Sequence, residues 1–256
     1  MRHVFDTMGT TASLSANCDV PIAAIEQIFE GFDRRFSLYR PESELSRVAA
    51  GKLRLEGAGP ELLTAYAEAI DWRRLTDGAF SPHRPDGVID LNGIAKASAM
   101  RDAAGLLDAS APSEWTLVVG GDLVQSAAND VPRAIGIVDP LDRSGLLCTV
   151  LLEGGRRAVA TSGSAERGDH IWLGGETGPA DFLQVTVLAD DIVTADVLAT
   201  AIVAAGRAGL DDICDRWPID VLTVDRQGLA EATPGFMAAV RAAARQRIPA
   251  GAPVRP

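Results

Sequence analysis

From Trp115 onward the chain is written as a succession of short apolar runs, each stopped by turn residues, and no other feature narrows its fold so far. WTLVVGG ends at paired glycines, and RAIGIVDP, LCTVLLEGG, RRAVATSG, FLQVTVLA and PIDVLTVDRQG follow it. These read as strands, most clearly FLQVTVLA with its β-branched alternation. Segments of helical period stand before and among them. Pro21 starts one that runs through IAAIEQIFEGFDRRFS, with Ile22, Ile25, Ile28, Phe29 and Phe32 on one stripe. Pro60 opens a second, closing near Asp77-Gly78; a third spans about Gly93 to Leu107, and TADVLATAIVAAG is a fourth. His3 to Ala16 reads as an early strand and Pro41 to Ser46 as a polar turn. Helices and strands mixed in this way predict an α+β fold. One continuous domain over residues 1–247 is expected, with a disordered Pro/Gly/Ala-rich tail at 248–256.

Charge and composition exclude several classes of function. A formal net charge of −11 opposes phosphate backbones, so no nucleic-acid partner is expected. A bound metal ion and a few backbone N–H groups override such a field locally, which leaves nucleotide ligands open. Cys18, Cys148 and Cys214 are widely spaced without a CxxC pair, against a disulfide framework or structural zinc. His3, His83 and His170 form no HExxH motif. No run of about 20 apolar residues predicts a membrane span. MRHVFDTMGT carries no apolar leader or lipid-attachment cysteine, so a cytoplasmic location is expected.

Four stretches could carry chemistry. In TADVLATAIVAAG, Thr194 is placed as N-cap, Asp196 in the first turn and Gly206 past the helix end. Asp196 and Thr200 then share one face and offer two oxygen ligands to a hard cation such as Mg²⁺. Dipole complement by Asp196 and back-bonding by Thr200 explain the same pair equally. In DGVIDLNGIAK, an Asn92-Gly93 turn feeds a helix carrying Lys96, a weak anion site that is no Walker loop. VVGGD permits close backbone approach to a flat ligand, or is only a tight turn. ATSGSAERGDHIWLGGETGP holds His170 among hydroxyl and acidic neighbours, as a general base or a plain surface residue. Ser162 and Ser164 lie outside any GxSxG elbow, so a serine hydrolase has little support.

Taken in order, these stretches resemble the ApbE family of flavin transferases over about residues 3–206. MGT at 8–10, FDRRFSLYRPESELSRV at 32–48 and TDGAF at 76–80 match its early motifs, and IDLNGIAKASA resembles its "D-L-G-G-I-A-K-G-Y-A" signature. GGD at 120–122, IGIVDP at 135–140, ATSG at 160–163, HI at 170–171 and TADVLATA at 194–201 follow in the family's sequence. The resemblance implies a compact ApbE-like (T-fold-like) domain with mostly antiparallel sheets packed against helices. It implies Mg²⁺-dependent cleavage of FAD, transfer of FMN to a Thr or Ser of an acceptor protein, and release of AMP. By the same resemblance Met8, Tyr39, Ala79, Phe80 and Ser81 contact FAD, Asp90 and Lys96 hold it, and His170 lies at the cleavage point as candidate base. The carbonyl of Gly93, with Asp196 and Thr200, is implied to bind Mg²⁺.

The chain departs from the family pattern in four places. Leu173 stands where the segment after the histidine has aspartate, and Ser81 replaces the aspartate of "A-F-D-P". Lys96-Ala97-Ser98-Ala99 replaces "K-G-Y-A", and the stretch from Phe80 to Asp90 is short. Two alternatives therefore stand beside transfer: hydrolysis of FAD to FMN and AMP, and a flavin-binding protein without turnover.

Overall fold

A computed structural model describes residues 1–110, 114–126, 133–153, 155–163 and 181–241. The backbone divides into two compact units, Met1–Ala128 and Asn129–Pro256. The expected tail at 248–256 lies outside the described residues.

In the first unit, β1 (Arg2–Thr7), β2 (Thr10–Ala16), β3 (Trp115–Val119) and β4 (Asp122–Gln125) form an antiparallel run in chain order. The single early strand expected for His3–Ala16 is thus a hairpin. Thr7 pairs with Thr10, and Met8 (φ 46°) and Gly9 (φ 72°) make the two-residue turn that suits the strands' right-handed twist. The strand expected to stop at Gly120-Gly121 instead reverses there into β4, because both glycines adopt positive φ and Val119 pairs with Asp122.

Helices α1 (Ile22–Phe36), α3 (Pro60–Leu75) and α4 (Asn92–Ser110) stand where the sequence predicts them. Ile25, Phe29 and Phe36 are the buried residues of α1, while Ile22, Ile28 and Phe32 are half-buried. The polar turn expected over 41–46 holds the start of a short helix, α2 (Glu44–Ala49). Ser43 Oγ accepts the Ser46 N–H at 2.9 Å, an N-cap, and donates to the Ser37 carbonyl at 2.6 Å. Behind that cap Leu45 is fully buried. Trp115 anchors β3 to α4 through Nε1, which donates to Asp108 Oδ1 at 3.1 Å.

In the second unit β7 (Ala158–Ser162), β8 (Phe182–Ala189), β9 (Asp220–Asp225) and β10 (Ala230–Ala232) form another antiparallel run. A separate hairpin pairs β5 (Ala134–Val138) with β6 (Leu146–Leu151). Between β8 and β9 runs α5 (Ile192–Arg216), packed on β7 and β8, and α6 (Pro234–Ala239) follows β10. Two expectations about α5 are corrected. Its N-cap is Asp191, whose Oδ1 accepts the Thr194 N–H at 2.9 Å, so the helix begins two residues before Thr194. Gly206 (φ 66°, ψ −162°) ends only its first half; the helix resumes at Arg207, whose N–H donates to Asp181 Oδ2 at 2.8 Å.

Length and composition alone would let α5 cross a membrane, but 56% of its apolar window is buried inside the fold. The straight part before Gly206 is about 21 Å long at 1.5 Å per residue, short of a ~30 Å hydrocarbon core.

Candidate functional site

The first unit brings four of the sequence motifs to neighbouring positions through direct contacts. The Met8-Gly9 turn leads into Thr10, whose side chain lies against Gly120: a Cβ at 120 would meet Thr10 Oγ1 at 3.0 Å. Only glycine fits there, since φ is also +56°. Two residues on, Asp122 is ion-paired with Lys96 of α4. One turn earlier on α4, Gly93 lies under the ring of Phe80, whose Cε2 is 3.1 Å from where a Cβ would be. MGT, GGD, LNGIAK and TDGAF are thus linked residue to residue.

Local structure explains why each segment presents what it does. At the end of α3, Thr76 Oγ1 donates to the Trp72 carbonyl at 2.8 Å and accepts the Phe80 N–H at 3.1 Å. This folds TDGAF back on the helix, with Asp77 at φ 51°, and tucks Phe80 inside at 3% exposure. Phe80 therefore packs the corner with its ring, while Ala79 and Ser81 are half-buried. Ser81 Oγ accepts the His83 N–H at 3.1 Å. Asp90 Oδ1 accepts the Asn92 N–H at 2.9 Å and so orders the entry to α4.

The segment at 32–48 turns on Ser37, whose Oγ accepts the Tyr39 N–H and whose carbonyl accepts from Ser43 and Ser46. That knot leaves Tyr39 85% exposed. Beside it Arg40 bonds Asp33 at 2.6 Å and Glu30 at 3.2 Å. Arg40, Asp33 and Glu30 line an open cleft of about 420 Å³ with Met8 and Thr10. Met8 in the left-handed region is strained, and such strain gathers at ligand-contacting turns.

In the second unit Asp196 and Thr200 lie one turn apart on the first half of α5. The first-turn placement of Asp196 is corrected: with helix entry at Ile192 it is the fifth helical residue, and no acidic residue lies in the first turn. Dipole complement, which acts within the first turn, does not account for it. At 5% exposure the Asp196 side chain is buried on the first half of α5. Thr200 Oγ1 lies 3.1 Å from Ser162 Oγ at the end of β7. Sequence reasoning gave Ser162 no role, and only the packing of α5 on β7 reveals it.

Carboxylate and hydroxyl oxygens are the donors a hard cation takes, and a Mg²⁺ site completed by water and ligand phosphate needs few protein groups. The chemistry of Asp196 and Thr200 fits such an ion. No cluster of three or more His, Cys, Asp or Glu occurs among the described residues, so a site here leans on hydroxyls, carbonyls and ligand oxygens. Gly93 is the second residue of α4 in the first unit, and Asp196 and Thr200 belong to the second. His170 and Leu173 lie outside the described residues. Sequence reasoning also missed Asp122, although GGD was singled out. The signal available was a carboxylate directly after a strand and a turn, facing a helix with a lysine.

The ApbE family model matches residues 8–84 and 83–222. No protein of curated function matches the chain. Solved structures are similar over nearly the whole length, three of them as follows. The ApbE protein of Thermotoga maritima is 22% identical with a TM-score of 0.79, the match covering 94% of this chain and 99% of that one. The flavin transferase ApbE of Vibrio cholerae is 23% identical, TM-score 0.73, covering 93% and 98%. The flavinyl transferase ApbE of Pseudomonas stutzeri, in apo form, is 20% identical, TM-score 0.76, covering 94% and 97%. At these identities the likeness establishes the fold.

Proposed function

The chain belongs to the ApbE family, and on that premise we propose that it is an FAD:protein FMN transferase, dependent on Mg²⁺. The observation that carries this reading is the contact chain from Thr10 through Gly120 to the Asp122–Lys96 pair and on to Gly93 and Phe80. Four family motifs, scattered over more than a hundred residues, make one corner. That corner offers an ammonium beside a helix N-terminus, which is how proteins hold a phosphate. The strained Met8 turn and the exposed Tyr39 ring supply surfaces against which a flat flavin packs.

The transfer needs little covalent chemistry from the protein. A hydroxyl oxygen of the acceptor's Thr or Ser attacks the FMN-side phosphorus, a new P–O bond forms, and the bond to AMP breaks. The acceptor's proton passes to a base, the role assigned by resemblance to His170, and AMP leaves with its phosphate. Asp196 and Thr200 would hold a Mg²⁺ ion, which when bound offsets the diphosphate's negative charge. Lys96, largely buried against Asp122, adds a fixed positive charge for the diphosphate.

The test is incubation with FAD and Mg²⁺, with and without an acceptor protein, scored by AMP release and by acceptor fluorescence that survives denaturation. AMP together with a fluorescent acceptor supports transfer. AMP without acceptor identifies a hydrolase, and tight FAD without AMP identifies a binder. Asp196→Ala is expected to abolish Mg²⁺-dependent AMP release. Wild-type rates in that variant would remove the metal assignment.

A further inference from the structure

We infer that Asp122 is a positioning residue that holds Lys96 aimed at the diphosphate of a dinucleotide, a role that rests on the flavin reading above. The two side chains sit at different depths. Asp122 is 1% exposed and Lys96 14%, so the carboxylate forms a floor and the ammonium lies between it and the surface. Both are anchored in regular secondary structure. Asp122 is the first residue of β4, fixed by its pairing with Val119 across the Gly120-Gly121 turn. Lys96 lies early in α4, a helix of 19 residues whose entry is ordered by the Asp90 to Asn92 hydrogen bond.

The chemistry follows from that geometry. Burial drives a lysine toward its neutral form, and a carboxylate in contact with it opposes the drive. An unguided lysine is a point charge on a flexible stem, poorly suited to fixing a ligand's orientation. Anchored on Asp122, the ammonium of Lys96, the fifth residue of α4, is a fixed charged donor of the kind phosphate oxygens favour. The Gly120-Gly121 turn acquires a function in this account: it sets the floor carboxylate at the start of β4, directly below the lysine.

The experiment measures binding alone, by quenching of flavin fluorescence, with FAD and with riboflavin, which shares the ring but lacks the diphosphate. The proteins are wild type, Lys96→Met, Asp122→Asn, Asp122→Glu and the double variant K96M/D122N. Each of K96M and D122N is expected to weaken FAD about tenfold, the scale of one charge-assisted contact, and to leave riboflavin within about twofold. If Asp122 acts through Lys96, D122N added to K96M changes FAD affinity by less than about twofold. D122E, which keeps the charge, returns FAD affinity to within about threefold of wild type. Should a single variant fail to fold with one charge buried and unpaired, the double variant and D122E still carry the comparison. Equal weakening of FAD and riboflavin by D122N, or the full loss again in the K96M background, would overturn the assignment. A wild-type protein that quenches neither flavin fails the functional reading itself, a result distinct from those two.

Discussion

Replacing Gly206 by alanine tests whether the break in α5 is a built feature or a tolerated accident. Gly206 has φ 66° and ψ −162°, a region essentially restricted to glycine, and a side chain there costs about 1–3 kcal/mol. Its Cβ would also lie 2.5 Å from Asp181 Oδ2. That oxygen accepts the Arg207 N–H at 2.8 Å and so caps the second half of the helix. To escape the clash Asp181 must swing away, and a lost cap costs about 0.5–2 kcal/mol. G206A should therefore destabilise the protein by about 1.5–5 kcal/mol, centred near 3. In a chain of this size that is a fall in Tm of about 6–12 °C. Urea titration and thermal melting followed by circular dichroism read the loss. Asp181→Ala separates the two contributions. It should cost less in the G206A background, where the cap is already broken, than in wild type. A loss below about 1 kcal/mol, or an equal cost of D181A in both backgrounds, refutes the reasoning.

Other consequences are open to measurement. Met8→Asn relieves a left-handed methionine and should raise stability by up to about 1 kcal/mol while weakening FAD binding; a less stable variant would show that φ 46° is unstrained in this turn. Burial pushes the thiols of Cys148 and Cys214 up to about 11, the latter also through Asp211, Asp215 and Asp220. At pH 8 only about one in a thousand of each is thiolate, so the buried Cys148 should resist a disulfide reagent until the protein unfolds while the half-buried Cys214 reacts slowly, and rapid native labelling of Cys148 contradicts its burial. Burial first, then the charge of Arg73, lowers the pKa of His83, whose Nε2 lies 3.0 Å from the Tyr66 hydroxyl. With the folded value below the unfolded one, the unfolded chain binds more protons around pH 6. Stability from this group is present at neutral pH and lost as pH falls through the usual histidine range. His83→Gln should therefore lessen the stability lost between pH 7 and pH 5, and an unchanged acid slope would sink the argument.

The legible parts of the fold are those decided within a few residues. Helix α1 announces itself by its apolar period, and both α1 and α3 by Pro21 and Pro60 at their starts. FLQVTVLA is legible through its β-branched residues, and nearly all of it is buried, packed against α5. Where two local signals compete, tertiary context chose between them. Asp191 and Thr194 are both good N-caps, and the chain leaving β8 reaches Asp191 first. Ser43 reads as a turn residue until Leu45 is buried behind it, and then it caps α2. Asp122 looks like the end of a turn because nothing nearby in sequence says that Val119 will pair with it.

By itself, then, the sequence determined the elements and the identity of the chemical groups: an acid and an alcohol one helical turn apart, a lysine after a glycine turn, and motifs in a family's order. Only the tertiary structure decided which of those groups meet. Lys96 and Asp122 are 26 positions apart, Ser162 and Thr200 are 38 apart, and Thr10 and Gly120 are farther still. Backbone periodicity is a property of neighbouring residues and can be read locally. An ion pair under a helix, or a hydroxyl bridge from strand to helix, exists only after loop closure has met its entropy and burial has removed the water that would otherwise screen it.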